Sequence, residues 1–233
     1  ILVYTVFYTY GDNRAALSSG LSLPQAVSYA WLGQVFFPLQ PMSIDGEIHD
    51  KIISGDVGLE LCRPLDVYAH WFAKTAAGRL GSFCVRGLIL LCALLMPAPY
   101  RLQPPASAAG FLLFLISQLA AFLLRTSSGM LIAALRIGIT WGEGPTYMLM
   151  LLGGILSGSY LPLQLWPDAL QRFLLAQPFA GYLDIPLRLY VGSLPPSQAL
   201  AGLALQLGWT AAFILLGRGL LQRQLRHIVV QGG

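Results

Sequence analysis

Side chains that could carry out chemistry are scarce in this chain of 233 residues, and they are densest in the stretch 45–79. Ten acidic residues and three histidines are present in all. Within the stretch, Asp45, Glu47 and Asp50 are close enough in sequence to act as paired carboxylates in general acid–base catalysis. A membrane-embedded, lipid-modifying enzyme would need such acids grouped with His or Ser at the membrane face. These three acids fit solvated positions of a short helix better.

Other kinds of catalytic or energy-coupling site are not visible. The histidines are His49, His70 and His227, all outside the apolar segments, so they offer neither a Ser–His pair inside a membrane nor a metal cluster. The chain has no G-x-x-x-x-G-K-[ST] phosphate loop, and we expect it to bind no ATP. No acidic residue lies within an apolar segment, where ion-coupled pumps place one. If the chain is a transporter, it lacks its own energy source and is either a passive channel or takes its energy from a partner.

The elements that hold these residues are those of a membrane protein. Charged residues make up 10% of the chain and apolar residues 56%, and the mean hydropathy is +0.65. A bilayer span needs about 20 mostly apolar residues. Basic residues are scattered at the ends of apolar stretches without a basic patch, which argues against nucleic acid as a partner. Four stretches lack any charged residue, namely 15–44, 102–124, 144–167 and 189–217.

The sequence predicts an all-α integral membrane protein with six spans, the first incomplete. The apolar run 1–10 is too short to span alone, and we interpret it as the outer end of a first span. Residues 125–143 either extend the fourth span or lie along the interface. The complete spans are predicted at about 22–40, 80–96, 106–124, 146–161 and 199–217, with Ser22 and Pro24 opening the first of these.

The basic residues predict which loops are cytoplasmic. Ten of them fall on one side if segments 45–79 and 125–143 share a side with the C-terminus, and four fall on the other. The positive-inside rule then places the C-terminus in the cytoplasm. The four are Arg14, Arg101, Arg172 and Arg188, and the ten are Lys51, Arg63, Lys74, Arg79, Arg86, Arg125, Arg136, Arg218, Arg223 and Arg226.

Two segments outside the spans have patterns of their own. In segment 45–79, Ile48 and Ile52 follow Ile44 at intervals of four, which indicates an amphipathic helix. This helix could dock a soluble protein or lie on lipid, and sequence physics weighs the two about evenly. A second helix is expected from Tyr68 to Gly78. Residues 162–198, punctuated by prolines, predict short helices half-buried at the opposite membrane surface.

These motifs resemble those of ABC-2-type permeases. Residues 47–57, EIHDKIISGDV, and 61–65, LCRPL, resemble the first cytoplasmic loop of that family, most closely in the small permeases of viologen-exporter-type systems. The proline-rich residues from 156 to 192 are similar to the family's extracellular element between the last two spans. The C-terminal residues 229–233, VVQGG, resemble the end of family members. Together the motifs cover nearly the whole chain in order.

The resemblance implies a permease of an exporter in the bacterial plasma membrane, with both termini cytoplasmic. A second permease, identical or related, and a dimer of ABC ATPase subunits would be its partners, and lipid its surroundings. ATP and Mg would bind the ATPase, with no cofactor or metal on this chain. The substrate would be a small molecule, a drug or a lipid-like compound. The alternative is a passive channel or a membrane scaffold without an ATPase.

The resemblance also implies site residues. Arg63, which directly precedes Pro64, could pair with an acidic residue of the ATPase or bind lipid phosphate. The resemblance favours the pair with the ATPase. The residues implied for contact with the ATPase are Glu47, Ile48, Ile52, Gly55, Asp56, Arg63 and Pro64. Those implied for the extracellular element are Ser157, Gly158, Pro162, Pro167, Pro178 and Phe179.

Overall fold

The computed structural model describes residues 21–39, 45–54, 56–58, 65–97, 100–138 and 144–225. Within these ranges all regular structure is helical, and no strand occurs. Short 3-10 turns lie at Phe37–Leu39, Leu163–Leu165 and Pro178–Gly181. The helices in chain order are α1 (Leu23–Phe36), α2 (Gly46–Ser54), α3 (Val67–Arg86), α4 (Leu88–Leu95), α5 (Ala108–Gly138), α6 (Gly144–Leu156), α7 (Asp168–Ala176), α8 (Asp184–Val191) and α9 (Pro196–Leu225).

Three stretches of the described residues are long and apolar enough to cross a membrane. They are Val67–Leu95, Ala108–Ile137 and Pro196–Leu225. The first begins well before residue 80, so the helix predicted from Tyr68 and the third predicted span are continuous. The second extends the fourth predicted span through residues 125–138, which decides between the two alternatives for that part of the segment.

The start of α1 follows from local sequence. Ser22 accepts a hydrogen bond from the Gln25 backbone N–H, and the Gln25 side chain accepts one from the Ser22 backbone N–H at 2.8 Å. This reciprocal pair is a capping box, and Pro24 in the first turn needs no hydrogen-bond donor. The predicted roles of Ser22 and Pro24 are confirmed. α1 has 14 residues and α6 has 13, so each is shorter than the span predicted there.

Two of the long helices run in one direction and the third runs in the other. α5 and α9 run parallel, because Ser117 bonds to Gln206 near their starts while Met130 and Leu221 share a cluster near their ends. α3 runs antiparallel to α5, since Thr75 in its first half donates to the Met130 sulfur of α5 at 3.8 Å. Parallel α5 and α9 are what the predicted topology requires of the fourth and sixth spans.

Two apolar clusters define the two ends of this bundle. At the outer end, α1, α4 and α8 pack on the first halves of α5 and α9, with Tyr29, Phe114 and Leu187 buried. At the inner end, α2 and the start of α3 pack on the last thirds of α5 and α9, around Ile48 and Trp71. The inner end is the side predicted to be cytoplasmic.

The sides of the bundle between the two ends are apolar. A row of exposed leucines on three helices is unusual for a surface in water and normal for one in contact with lipid or another span. The row comprises Leu88, Leu91 and Leu95 on α4, Leu112, Leu115 and Leu119 on α5, and Leu200, Leu207 and Leu215 on α9.

Candidate functional site

The amphipathic helix α2 is docked on the inner end of the bundle by its apolar face. Ile48 is 1% exposed and belongs to a cluster with Trp71 of α3, Met130 of α5 and Leu221 of α9. Ile52 packs against the same cluster. The apolar stripe is therefore occupied by the chain itself, which neither of the predicted alternatives for this helix anticipated.

Ion pairs hold the charged side of the inner end. Glu47 pairs with Lys51 one turn later at 2.8 Å and also with Lys74 of α3. Asp66 accepts from the Ala69 backbone N–H to cap α3, and it also pairs with Arg218 of α9. α2, α3 and α9 are thus connected by charge as well as by apolar packing.

The exposed face of α2 and the turn after it is acidic. Asp50 and Asp56 are exposed, and Glu47 is exposed over more than half of its side chain despite its ion pairs. The Ser54 hydroxyl donates to Asp56 at 2.8 Å, which shapes the turn after the helix. The other predicted contact residues, Gly55, Arg63 and Pro64, lie outside the described residues, as does Ile44.

The proline-rich segment differs from its prediction. α7 lies on the surface with Leu170 and Phe173 exposed, as expected of a half-buried helix. Seven of the eight residues of α8 are buried, however, and the turn Pro178–Gly181 enters between α5 and α9. Irregular backbone is tolerated at this depth because it bonds to protein: the Gly181 carbonyl accepts from Gln206 at 2.9 Å.

The predicted prolines and Phe179 of this segment shape its turns. Pro162 precedes the turn Leu163–Leu165, and the Pro167 carbonyl accepts from the Leu170 and Gln171 backbone N–H groups in the first turn of α7. Pro178 opens the turn that enters the bundle. The Phe179 ring packs edge-on against Tyr182, with the ring centroids 5.4 Å apart. Their positions indicate a structural role.

Ser157 and Gly158 form the tight turn after α6. The Ser157 hydroxyl donates to the Gly154 carbonyl at 2.9 Å. Gly158 has a φ of +81°, and its carbonyl accepts from the Tyr29 hydroxyl at 3.3 Å. A Cβ at Gly158 would lie 2.7 Å from that hydroxyl oxygen. Both the backbone conformation and the close approach of α1 therefore require glycine.

Replacing Gly158 with Ala should lower the free energy of unfolding by about 2 kcal/mol. The left-handed conformation costs a non-glycine residue roughly 1–2 kcal/mol, and the Tyr29 hydroxyl must also move. Thermal unfolding in detergent measures the loss. Gly208→Ala is the matched control, since a Cβ there meets nothing within 4 Å in the middle of α9. A Gly158 variant as stable as this control would contradict the prediction.

Asp184 connects this turn to α1 and α8. The side chain is fully buried, and its Oδ1 accepts from the Tyr29 hydroxyl and from the Leu163 backbone N–H, each at 3.2 Å. Arg188 donates to Oδ2 at 3.5 Å. Burial raises the pKa of Asp184, against the opposing effects of Arg188 and the hydrogen bonds. Sequence reasoning placed Asp184 in a surface segment and missed this role.

Arg125 is a second buried charge that the sequence did not reveal. It was counted among the cytoplasmic residues of the topology argument, but it is 0% exposed inside α5. Arg79, counted in the same way, is 8% exposed and donates to the Leu39 carbonyl at 2.8 Å. These two side chains therefore point into the protein and not toward lipid headgroups at its surface. One signal was available: Gln118 lies seven residues before Arg125, two turns along the same helix face.

In the part of the chain that the structure describes, no three His, Cys, Asp or Glu side chains are placed to hold a metal ion.

A family model described as ABC-2 family transporter protein matches residues 1–232. Comparison with curated proteins and with solved structures gave no match.

Proposed function

Since the chain belongs to the ABC-2 family of transporter proteins, we propose that it is the permease subunit of an ATP-binding-cassette exporter. It crosses the plasma membrane of a bacterium six times, with its C-terminus in the cytoplasm. A dimer of separate ATPase subunits binds ATP and Mg and drives it. A second permease, identical or related, completes the transport path. The cargo is a small molecule, a drug or a lipid-like compound.

The observation that carries the proposal is the docking of α2. Its apolar face is buried against α3, α5 and α9, while its acidic face is exposed at the inner end. A protein that binds the exposed face can displace α2 only together with the three long helices. A surface helix lying on lipid would expose its apolar face instead.

The movement would pass through packed side chains. Ile48 belongs to one buried cluster with Trp71 and Met130, so a displacement of α2 acts on α3 and α5 at once. The pairs of Glu47 with Lys74 and of Asp66 with Arg218 add charged connections to α3 and α9. Close-packed interiors deform little and transmit such displacements.

Reversing the charge of Asp50 should weaken the complex with the ATPase. The partner is the ATPase encoded by an adjacent reading frame. The Asp50→Lys permease should recover about one tenth as much of it as the wild-type permease does, because a misplaced interface charge costs on the order of 1–2 kcal/mol. Co-purification from membranes measures this. Arg101→Glu, at an exposed position of the outer end, is the control and should recover the ATPase fully.

Equal recovery by the Asp50→Lys and wild-type permeases, with both inserted in the membrane, would remove α2 as the docking surface. A purified permease that conducts without any ATPase would support the passive channel instead.

A further inference from the structure

Arg125 has hydrogen-bonding capacity that the described residues do not use. Its Nη2 group donates to Gln118 Oε1 at 3.0 Å and to the Tyr182 carbonyl. Its Nε and Nη1 atoms are buried and have no hydrogen-bond partner there. Buried donors are nearly always paired in folded proteins, because an unpaired one loses its hydration without compensation.

The charge of Arg125 is also uncompensated. No described carboxylate forms an ion pair with Arg125. The charged side chain with the largest electrostatic effect on its guanidinium group is Arg79, which has the same sign. Arg79 itself is close enough to Asp45 to be influenced by it. The two buried guanidinium groups thus carry the same charge, and among the described residues Gln118 and the Tyr182 carbonyl accept hydrogen bonds from that of Arg125. A buried cation without a counter-charge is among the most unfavourable arrangements in a protein.

The depth of Arg125 suggests which anion would fit. It lies 17 residues after Ala108, about 26 Å along α5 at 1.5 Å per residue. The hydrocarbon core of a bilayer is about 30 Å thick. If α5 enters that core near its first turn, Arg125 lies close to the inner boundary, where the charged heads of amphiphiles are found.

We infer that Arg125 on α5, with the like charge of Arg79 on α3 adding to its positive potential, binds the phosphate or carboxylate head of an anionic amphiphile. Arginine suits this role because its planar donors match the oxygen atoms of such groups. The amphiphile is either the transported molecule or an anionic lipid of the inner leaflet. Its identification as cargo rests on the proposed exporter function, whereas the binding site itself does not.

The full chain, purified in a neutral detergent without an ATPase, can be tested with decyl phosphate and with decanol as the uncharged counterpart. Decyl phosphate should raise the unfolding temperature of the wild-type protein, and decanol should not. Arg125→Gln should weaken decyl phosphate binding at least about tenfold, the loss of a charge-assisted hydrogen bond. Arg172→Gln removes an exposed charge of the outer end and should leave binding unchanged.

A comparison of Arg125→Gln with Arg125→Lys separates binding from a structural role. Both side chains keep a hydrogen-bond donor, but only Lys retains the buried charge. Without an anion the Gln variant should unfold at the higher temperature, and decyl phosphate should reverse the order. Greater stability of the Lys variant without an anion would show that a permanent counter-charge holds Arg125, and would overturn the inference.

Bilayer discs identify the source of the anion. If phosphatidylglycerol in phosphatidylcholine discs raises the unfolding temperature and abolishes the effect of decyl phosphate, the occupant is lipid. If decyl phosphate retains its effect there, the occupant is a separate amphiphile, and either result supports the site. Failure of decyl phosphate to stabilise the wild-type protein, or equal binding by Arg125→Gln, would overturn it. Neither failure affects the ATPase docking experiment, which involves a different surface.

Discussion

Replacing Ile48 with Asp should release α2 from the inner end and disconnect the permease from its ATPase. Ile48 is 1% exposed among apolar side chains of three helices. An unpaired carboxylate there costs several kcal/mol, more than the short helix gains by docking. We expect α2 to undock while α3, α5 and α9 stay folded, because their packing against one another does not depend on α2.

Hydrogen–deuterium exchange measures this result directly. Backbone amides of Gly46–Ser54 should exchange at least about 100-fold faster in Ile48→Asp, since a loss of roughly 3 kcal/mol of local stability corresponds to that factor. Protection of α5 and α9 should persist. Gly46→Asp is the matched control. It places the same carboxylate at an exposed position in the first turn of the same helix, where the helix dipole favours a negative charge. Unchanged exchange of α2 in Ile48→Asp would contradict its role as the anchor.

Replacing Asp184 should have the largest effect on stability at the outer end. Asp184→Ala leaves the Leu163 backbone N–H and the largely buried Arg188 without their acceptor, and we expect a loss of about 3 kcal/mol. Asp184→Asn retains an oxygen in place of Oδ1, which accepts from Tyr29 and Leu163, and should lose less. Thermal unfolding of the two variants beside the wild type gives both values. Equal losses would mean that the carboxylate charge opposite Arg188, and not the hydrogen bonds accepted by Oδ1, matters at this position.

The same residue predicts a pH dependence. Because burial raises the pKa of Asp184, the folded protein binds its proton more tightly than the unfolded chain does. The wild-type protein should therefore lose stability as the pH rises from about 4, the ordinary carboxyl value, through the raised pKa. Asp184→Asn cannot titrate and should lack this part of the slope. Identical slopes for the two proteins would contradict a raised pKa.

The sequence predicted the features that depend on local pattern. The Ser22 cap and the apolar face of α2 follow from residues within a few positions of one another, and both are present. The family followed from motifs in order along the chain and is confirmed by the match over residues 1–232. Such features need no knowledge of which helix packs against which.

Features that depend on packing were not predictable in the same way. A charge in an apolar sequence indicates a membrane boundary when the helix faces lipid, but Arg125 faces inward, and its partner Tyr182 is distant in sequence. The prolines around α8 suggested a surface segment, because exposed irregular backbone is the common case. Here Gln206 of α9 and Arg125 of α5 bond to the carbonyls of the turn, and neither partner can be identified from the turn's own sequence.

The length of α5 has a mechanical consequence. One continuous helix holds Arg125 and, nine residues further, Ala134 in the inner cluster, about 14 Å apart at 1.5 Å per residue. A single helix is rigid over this distance, so the contact with α2 and the anion site move together. Coupling between the two sites therefore acts in both directions. If ATPase binding at α2 changes the affinity for an anion at Arg125, the anion must change the affinity for the ATPase by the same factor.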